Sequence, residues 1–172
     1  MNPDNKRFIE LVKQICFTNT IIPEIKTLLH LIGKGRVRLQ TQITKSTSGH
    51  RGMEGEIGYG LYILYDIGTL NFELERDISE YSQVTAYVYL YGRFDDAGAV
   101  FCNGTKILGD FRPSEGRTGS YSGWSYGATS VTRDITSFIS SNTIQFKYYN
   151  VEWGGYSFAD FNSTVTLTLI SK

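Results

Sequence analysis

The chain has 172 residues, with 17 lysines and arginines against 17 aspartates and glutamates, enough for one domain that buries its own core. Zero net charge removes the basic surplus that phosphate binding requires, which excludes nucleic acid as the main partner. With 18 Gly, 3 Pro, 12 Tyr and 10 Phe, the bias is that of an aromatic-rich β-protein rather than a helical bundle.

The opening stretch MNPDNKRFIELVKQIC is amphipathic and charged. It carries no basic leader followed by an apolar run, so neither a signal peptide nor a membrane span is predicted. Phe8, Ile9, Leu11, Val12 and Ile15 recur at helical spacing after Asp4, which predicts a helix over about residues 5–16. Ile22, Ile25, Leu28, Leu29 and Ile32 form a second apolar stripe, with Pro23 in its first turn and Gly33 at its end. Residues 1–34 are therefore expected to form a helical docking segment, and residues 35–172 a separate unit. From Lys34 to Gly60 the chain is polar and Gly-rich, which reads as one strand over Val37–Ile43 followed by a loop.

Beyond Gly60 the period changes to two. LYILYD (61–66) reads as a largely buried strand. In TLNFELE, Leu70, Phe72 and Leu74 alternate with Asn71, Glu73 and Glu75. Val84, Ala86, Val88 and Leu90 form one face of the next strand, and Tyr87, Tyr89 and Tyr91 the other. AVFCN and TKILG flank Asn103-Gly104, a pair suited to a two-residue hairpin because both residues tolerate positive φ. ATSVTRDIT, NTIQFKYYN and STVTLTLIS follow; the last places Val165, Leu167 and Leu169 inside and Thr164, Thr166 and Thr168 outside. About eight strands with regular turn signals predict a two-sheet sandwich.

The candidate chemistry is sparse. Asp95-Asp96 invites reading as a catalytic pair, but adjacent strand-end side chains are expected to point to opposite sides, whereas glycosidase carboxylates face each other across roughly 5–10 Å. The preferred role is a tight corner held by carboxylate–backbone bonds. The alternative is a calcium site on Asp95 or Asp96 with backbone carbonyls. Asp134 is expected to cap a one-turn helix, with Thr136 or Ser137 sharing the work, and Asn142 to leave that turn. His30 and His50 lack partners at metal spacing, and Cys16 and Cys102 make no zinc pattern with them. No Ser-His-Asp order, phosphate loop or His-Glu-x-x-His occurs, so no enzyme is predicted.

Cross-strand packing is the preferred reading of Tyr87, Tyr89 and Tyr91, with sugar stacking or partner uptake as the other. The stronger binding candidates are Tyr121, Trp124 and Tyr126 in the Gly/Ser loop GSYSGWSYG, and Trp153 and Tyr156 in EWGGYSF. Rigid aromatics beside Ser and Gly are the chemistry of recognition surfaces.

The succession of Val-x-x-x-Val-x-Leu, Asp95-Asp96, Asn103-Gly104, Asp134-Ile135-Thr136 and Asn142-Thr-Ile144 resembles the galactose-binding-domain-like jelly roll, from Thr69 to Leu169. It is similar to the sugar-binding domain preceding the catalytic barrel of family 2 glycoside hydrolases, and to jelly-roll modules of bacterial surface, conjugation and phage proteins. The resemblance implies an all-β, antiparallel jelly-roll β-sandwich with a short N-terminal helical segment. It implies no single job, since this fold serves as lectin, spacer, docking module and virion part. Nothing after the roll is a catalytic barrel, and a glycosidase fragment is the least favoured reading. The expectation is a non-enzymatic component of a phage or virus-like particle, such as a tail or capsid-surface protein, homo-oligomeric and found in the virion or in the cytoplasm before assembly. The alternative is a free-standing carbohydrate-binding module.

Overall fold

In the computed structural model of the protein, the described residues are 40–57, 62–113 and 125–172, with the side chains of 53–57, 155 and 156 outside the description. The helices expected within 1–34, and the boundary after them, lie outside these residues. Eight strands follow one another: β1 (Gln40–Ile57), β2 (Ile63–Glu73), β3 (Tyr81–Phe94), β4 (Ala97–Cys102), β5 (Thr105–Phe111), β6 (Gly127–Asp134), β7 (Thr143–Glu152) and β8 (Gly155–Ser171). They form two four-stranded sheets, ordered β1-β8-β3-β6 and β2-β7-β4-β5, with every pair antiparallel. Apart from the β4–β5 hairpin, each strand is followed by one in the opposite sheet. That is the connectivity of a jelly-roll sandwich. Among the described residues no helix is long and apolar enough to cross a membrane.

The period-two patterns place the core. Val84, Ala86, Val88 and Leu90 of β3 and Val165, Leu167 and Leu169 of β8 are buried, and meet Phe72, Ile144, Phe146 and Tyr148 from the other sheet. Phe161 and Tyr148 stack between the sheets with centroids 4.9 Å apart and planes 24° apart. Glycines surround the Phe161 ring. A Cβ on Gly49 would lie 2.3 Å from it, one on Gly68 3.0 Å, and one on Gly92 2.9 Å from the Phe161 Cβ. β1, β2 and β3 thus each give up a side chain where this ring approaches. Cys102 is a buried free thiol, and burial pushes it up to about 12, which removes it as a nucleophile.

Two sequence expectations need correction. The segment after Ile43 is not a loop: β1 runs to Ile57 and pairs with β8 along its length. Its outward residues meet a matching polar row, with Thr44 and Thr166 hydroxyls 2.9 Å apart and Ser46 and Thr164 hydroxyls 3.0 Å apart. Hydrogen-bonded hydroxyls and a full backbone ladder hold this strand, so the aliphatic alternation that signals a strand is missing. His50 accordingly lies in β1, edge-on to Phe158 at 5.9 Å. Of LYILYD, Ile63, Leu64 and Tyr65 are half-buried and Tyr62 and Asp66 exposed, rather than largely buried, because β2 lies at a sheet edge.

The β4–β5 turn follows its chemistry. Asn103 and Gly104 have φ of 45° and 83°, the double positive pair of a two-residue hairpin. The Asn103 amide also ties the hairpin to its surroundings: Nδ2 donates to the Phe138 carbonyl at 3.0 Å and Oδ1 accepts from the Gln145 N–H at 2.8 Å. Asn103→Ala removes both bonds and places a less tolerant residue at positive φ, so it should cost about 1–3 kcal/mol in urea unfolding.

Asp134 caps the 3₁₀ turn Thr136–Phe138 from just before it. Its Oδ1 accepts from the Thr136 N–H at 3.0 Å and hydroxyl at 2.6 Å, and Oδ2 accepts from Gln83 at 2.8 Å. Asn142 closes the exit, its Oδ1 accepting from the Ile78 N–H at 3.0 Å. The bonds from Thr136, and then from Gln83, lower the Asp134 carboxyl below its usual 3.8. A depressed carboxylate stabilises the fold above its unfolded value and loses that effect as pH falls through its folded value. The Tm deficit of Asp134→Ala relative to wild type should therefore hold at neutral pH and shrink as pH falls below 3.8. A deficit unchanged in strong acid would show that the charge is irrelevant to the cap.

Candidate functional site

Strand register gathers four connections at one end of the sandwich. Ile57 pairs with Gly155, Ile63 with Glu152, Gly92 with Gly127, Ala97 with Val151 and Gly98 with Phe111. The β1–β2, β3–β4, β5–β6 and β7–β8 connections therefore leave from the same end, and with them both aromatic loops singled out by sequence. Tyr121, Trp124 and the side chain of Tyr156 lie outside the described residues. Tyr126 and Trp153 lie within them, in different settings.

Tyr126 belongs to the β1-β8-β3-β6 side. Its ring stacks on Tyr91, with centroids 5.3 Å apart and planes 13° apart, and its hydroxyl donates to Asp160. That bond raises the phenol above its ordinary value. The Arg93 guanidinium lies 4.7 Å over the Tyr126 ring and 4.9 Å over Phe158, and 3.6 Å from the Asp160 carboxylate. Trp153 instead packs half-buried against Ala97, Ala99 and Val151, beside Tyr62 at 5.8 Å and beneath Arg112 at 4.5 Å. Much of its surface is thus spent on packing.

The paired acids are arranged differently from the strand-end expectation. Residues 95–96 form a bend rather than strand, with the Asp95 N–H bonded to the Phe158 carbonyl at 2.9 Å. Freed from strand alternation, Asp95 and Asp96 converge, and with Glu152 they place carboxylate oxygens within 4.8 Å of one another. Asp96 is 3% exposed and Glu152 is fully buried. Asp96 Oδ2 accepts the Trp153 N–H at 2.7 Å, so this acid stitches the β3–β4 corner to the β7–β8 connection rather than to its own turn. Glu152 Oε1 accepts from Asn150 Nδ2 at 2.5 Å, and the same amide donates to Ser157 at 3.1 Å. Asp96 and Glu152 are buried and hydrogen-bonded within the corner, which leaves no open space for a sugar between these two carboxylates. A hard-oxygen set of this kind could hold a calcium-like cation. Glu152 is the member that sequence reasoning missed, because only the register placing Val151 opposite Ala97 brings it to the bend.

The largest exposed aromatic surface lies on the outer face of the β1-β8-β3-β6 sheet. Tyr87, Tyr89 and Tyr91 are 42%, 38% and 39% exposed, and Tyr126 is 41% exposed. Across the strands, Tyr87 stands between Thr166 and Thr132, Tyr89 between Thr164 and Ser130, and Tyr91 between Asn162 and Ala128. β1 extends these rows with Thr44, Ser46 and Ser48. The twelve positions of these three rows of four carry no charge. Tyr87 and Tyr89 thus have hydroxyl neighbours rather than aromatic or aliphatic cross-strand partners, while Tyr91 lies between an amide and Ala128 and stacks on Tyr126. Among the described residues, charges stand beyond the rows, at Asp134 on one side and at Arg93 and Asp160 on the other.

No family model and no curated protein matches the chain. Among solved structures, dimeric latent PorU from Porphyromonas gingivalis aligns at TM-score 0.37 and 10% identity, over 76% of this chain and 13% of that one. A β-porphyranase of glycoside hydrolase family 86 from the human gut bacterium Bacteroides plebeius aligns at TM-score 0.32 and 12% identity, over 77% of this chain and 21% of that one. The CBM35 module from Paenibacillus barcinonensis aligns at TM-score 0.30 and 14% identity, over 69% of this chain and 95% of that one. The chain thus spans only 13% of the PorU chain and 21% of the family 86 chain. At these scores the likenesses carry no argument about ligand or activity, which must come from the site itself.

Proposed function

We propose that this protein is a non-catalytic carbohydrate-binding module built on a galactose-binding-like jelly roll, which contacts its ligand through the tyrosine ladder of β3 and Tyr126. The observation that supports this reading is the row of three exposed phenol rings on β3, set among uncharged side chains on the sheet, with the exposed Tyr126 ring stacked on the last of them. Ring faces receive the C–H faces of sugars, and hydroxyl and amide neighbours exchange hydrogen bonds with sugar hydroxyls. Because Tyr87, Tyr89 and Tyr91 stand on a strand rather than a loop, little conformational entropy is lost on binding. The tightly spaced, buried acids at the corner offer no acid/base pair for hydrolysis, so binding without cleavage is the chemistry this surface supports. The particle-component reading has no comparable support, and its helical docking segment lies outside the described residues.

The test is a screen of the purified chain against immobilised plant, algal, bacterial and animal glycans, alongside Tyr91→Ala and Trp153→Ala. Retention of wild type on at least one glycan and loss with Tyr91→Ala at unchanged Tm is expected. Silence across the whole panel would remove the reading. Loss with Trp153→Ala alone would move the site to the other sheet.

A further inference from the structure

Resting on that reading, we infer that the ligand is an uncharged polysaccharide chain lying along β3, rather than a single terminal sugar or an anionic glycan. Three features of the outer face carry the inference. The first is length: Tyr87, Tyr89 and Tyr91 alternate on one strand, so three rings cover roughly 13 Å at about 3.3 Å per residue. Stacked on Tyr91, Tyr126 continues the track beyond the strand's own row. A monosaccharide meets one such ring; a chain meets several in succession.

The second is charge. The rows holding Tyr87, Tyr89 and Tyr91 have no charged side chain, and their neighbours are hydroxyls, one amide and one alanine. A carboxylated or sulfated chain laid on this face would lose water from its anions without gaining a cation. Arg93, at one end, already faces Asp160 and lies between the Tyr126 and Phe158 rings. A neutral chain carries no such penalty, so the face complements an uncharged partner.

The third is shape. A pocket for a chain end needs walls, whereas among the described residues Thr164, Thr166, Ser130 and Thr132 lie beside the tyrosines on the adjoining strands of the same face. An open track admits the middle of a polymer as well as its end. A second copy of this chain is the competing occupant, since Tyr, Ser and Thr also make protein contact surfaces. Against it, the hydroxyl rows supply far more hydrogen-bonding groups than a dry, homodimer-like core tolerates.

The experiment titrates the intact protein with neutral oligosaccharides of the glycan class retained in the screen, from monosaccharide to hexasaccharide, and with pectate and a sulfated galactan. Sedimentation velocity is run in parallel. Affinity should rise about tenfold or more from disaccharide to hexasaccharide, as additional ring contacts form. Tyr87→Thr, a change on an exposed strand position, should flatten that rise without altering Tm. Affinity that levels off at a disaccharide, or preference for pectate or the sulfated galactan, would overturn the inference while leaving carbohydrate binding intact. Absence of binding to every glycan would overturn both. A concentration-dependent dimer that Tyr89→Ser dissociates, with no glycan bound, would give the face to a second copy.

Discussion

Phe161→Ala is expected to lower the unfolding free energy by about 3–5 kcal/mol, the range for truncating a fully buried phenylalanine. Against a typical total of about 5–15 kcal/mol, that is a large share of the stability. The reason is local and specific. Phe161 is fully buried and stacked on Tyr148, so it joins the two sheets, and the strands around it carry glycine where the ring approaches. Removing the ring leaves a void bordered by residues with no side chain to fill it. Urea unfolding should show a lower midpoint with an unchanged slope. A second variant makes the argument sharper. A Cβ on Gly68 meets only the Phe161 ring, at 3.0 and 3.6 Å, and the Ser48 carbonyl at 4.0 Å. Gly68→Ala should destabilise the wild type but be neutral or favourable in Phe161→Ala. Additive effects of the two changes would show that the ring and the glycine do not share this space.

Replacing Tyr89 and Tyr91 together by alanine should weaken glycan binding about a hundredfold while the sandwich remains folded. Aromatic contacts contribute about 0.5–1.5 kcal/mol beyond area burial, and each 1.4 kcal/mol is tenfold in affinity. The loss in the double variant can depart from the sum of the singles, because the two rings stand on one strand and touch one ligand. Stability should change little, since both side chains face solvent while Val88 and Leu90 beside them hold the core. Tyr91→Ala also removes the stacking partner of Tyr126, so it should cost more binding than Tyr89→Ala. Equal affinity of double variant and wild type would remove the ladder from the contact surface.

The core rows were legible because apolar residues alternate with polar ones in β3 and β8, and alternation alone assigns a face. The Asn103-Gly104 hairpin was legible because few residue pairs tolerate two successive positive φ angles. β1 was not, because hydroxyl pairs between Thr44 and Thr166 and between Ser46 and Thr164 hold it, and these depend on a partner strand more than a hundred residues away. The acidic cluster was half legible. Asp95 and Asp96 stand side by side in the chain, but their convergence requires a bend, and Glu152 joins them only through the β4–β7 register. The outward side of the tyrosine ladder could be read directly from β3. Its exposure could not, since that depends on whether Thr and Ser or further aromatics stand across the strands.

The claim that the outer face of the β1-β8-β3-β6 sheet is the ligand surface is tested most directly by amide chemical-shift mapping of the ¹⁵N-labelled protein with a retained oligosaccharide. Perturbations should concentrate on Tyr87 to Tyr91, Asn162 to Thr166 and Tyr126. Perturbations centred on Trp153, Tyr62 and Phe101, with β3 and β8 unmoved, would contradict it.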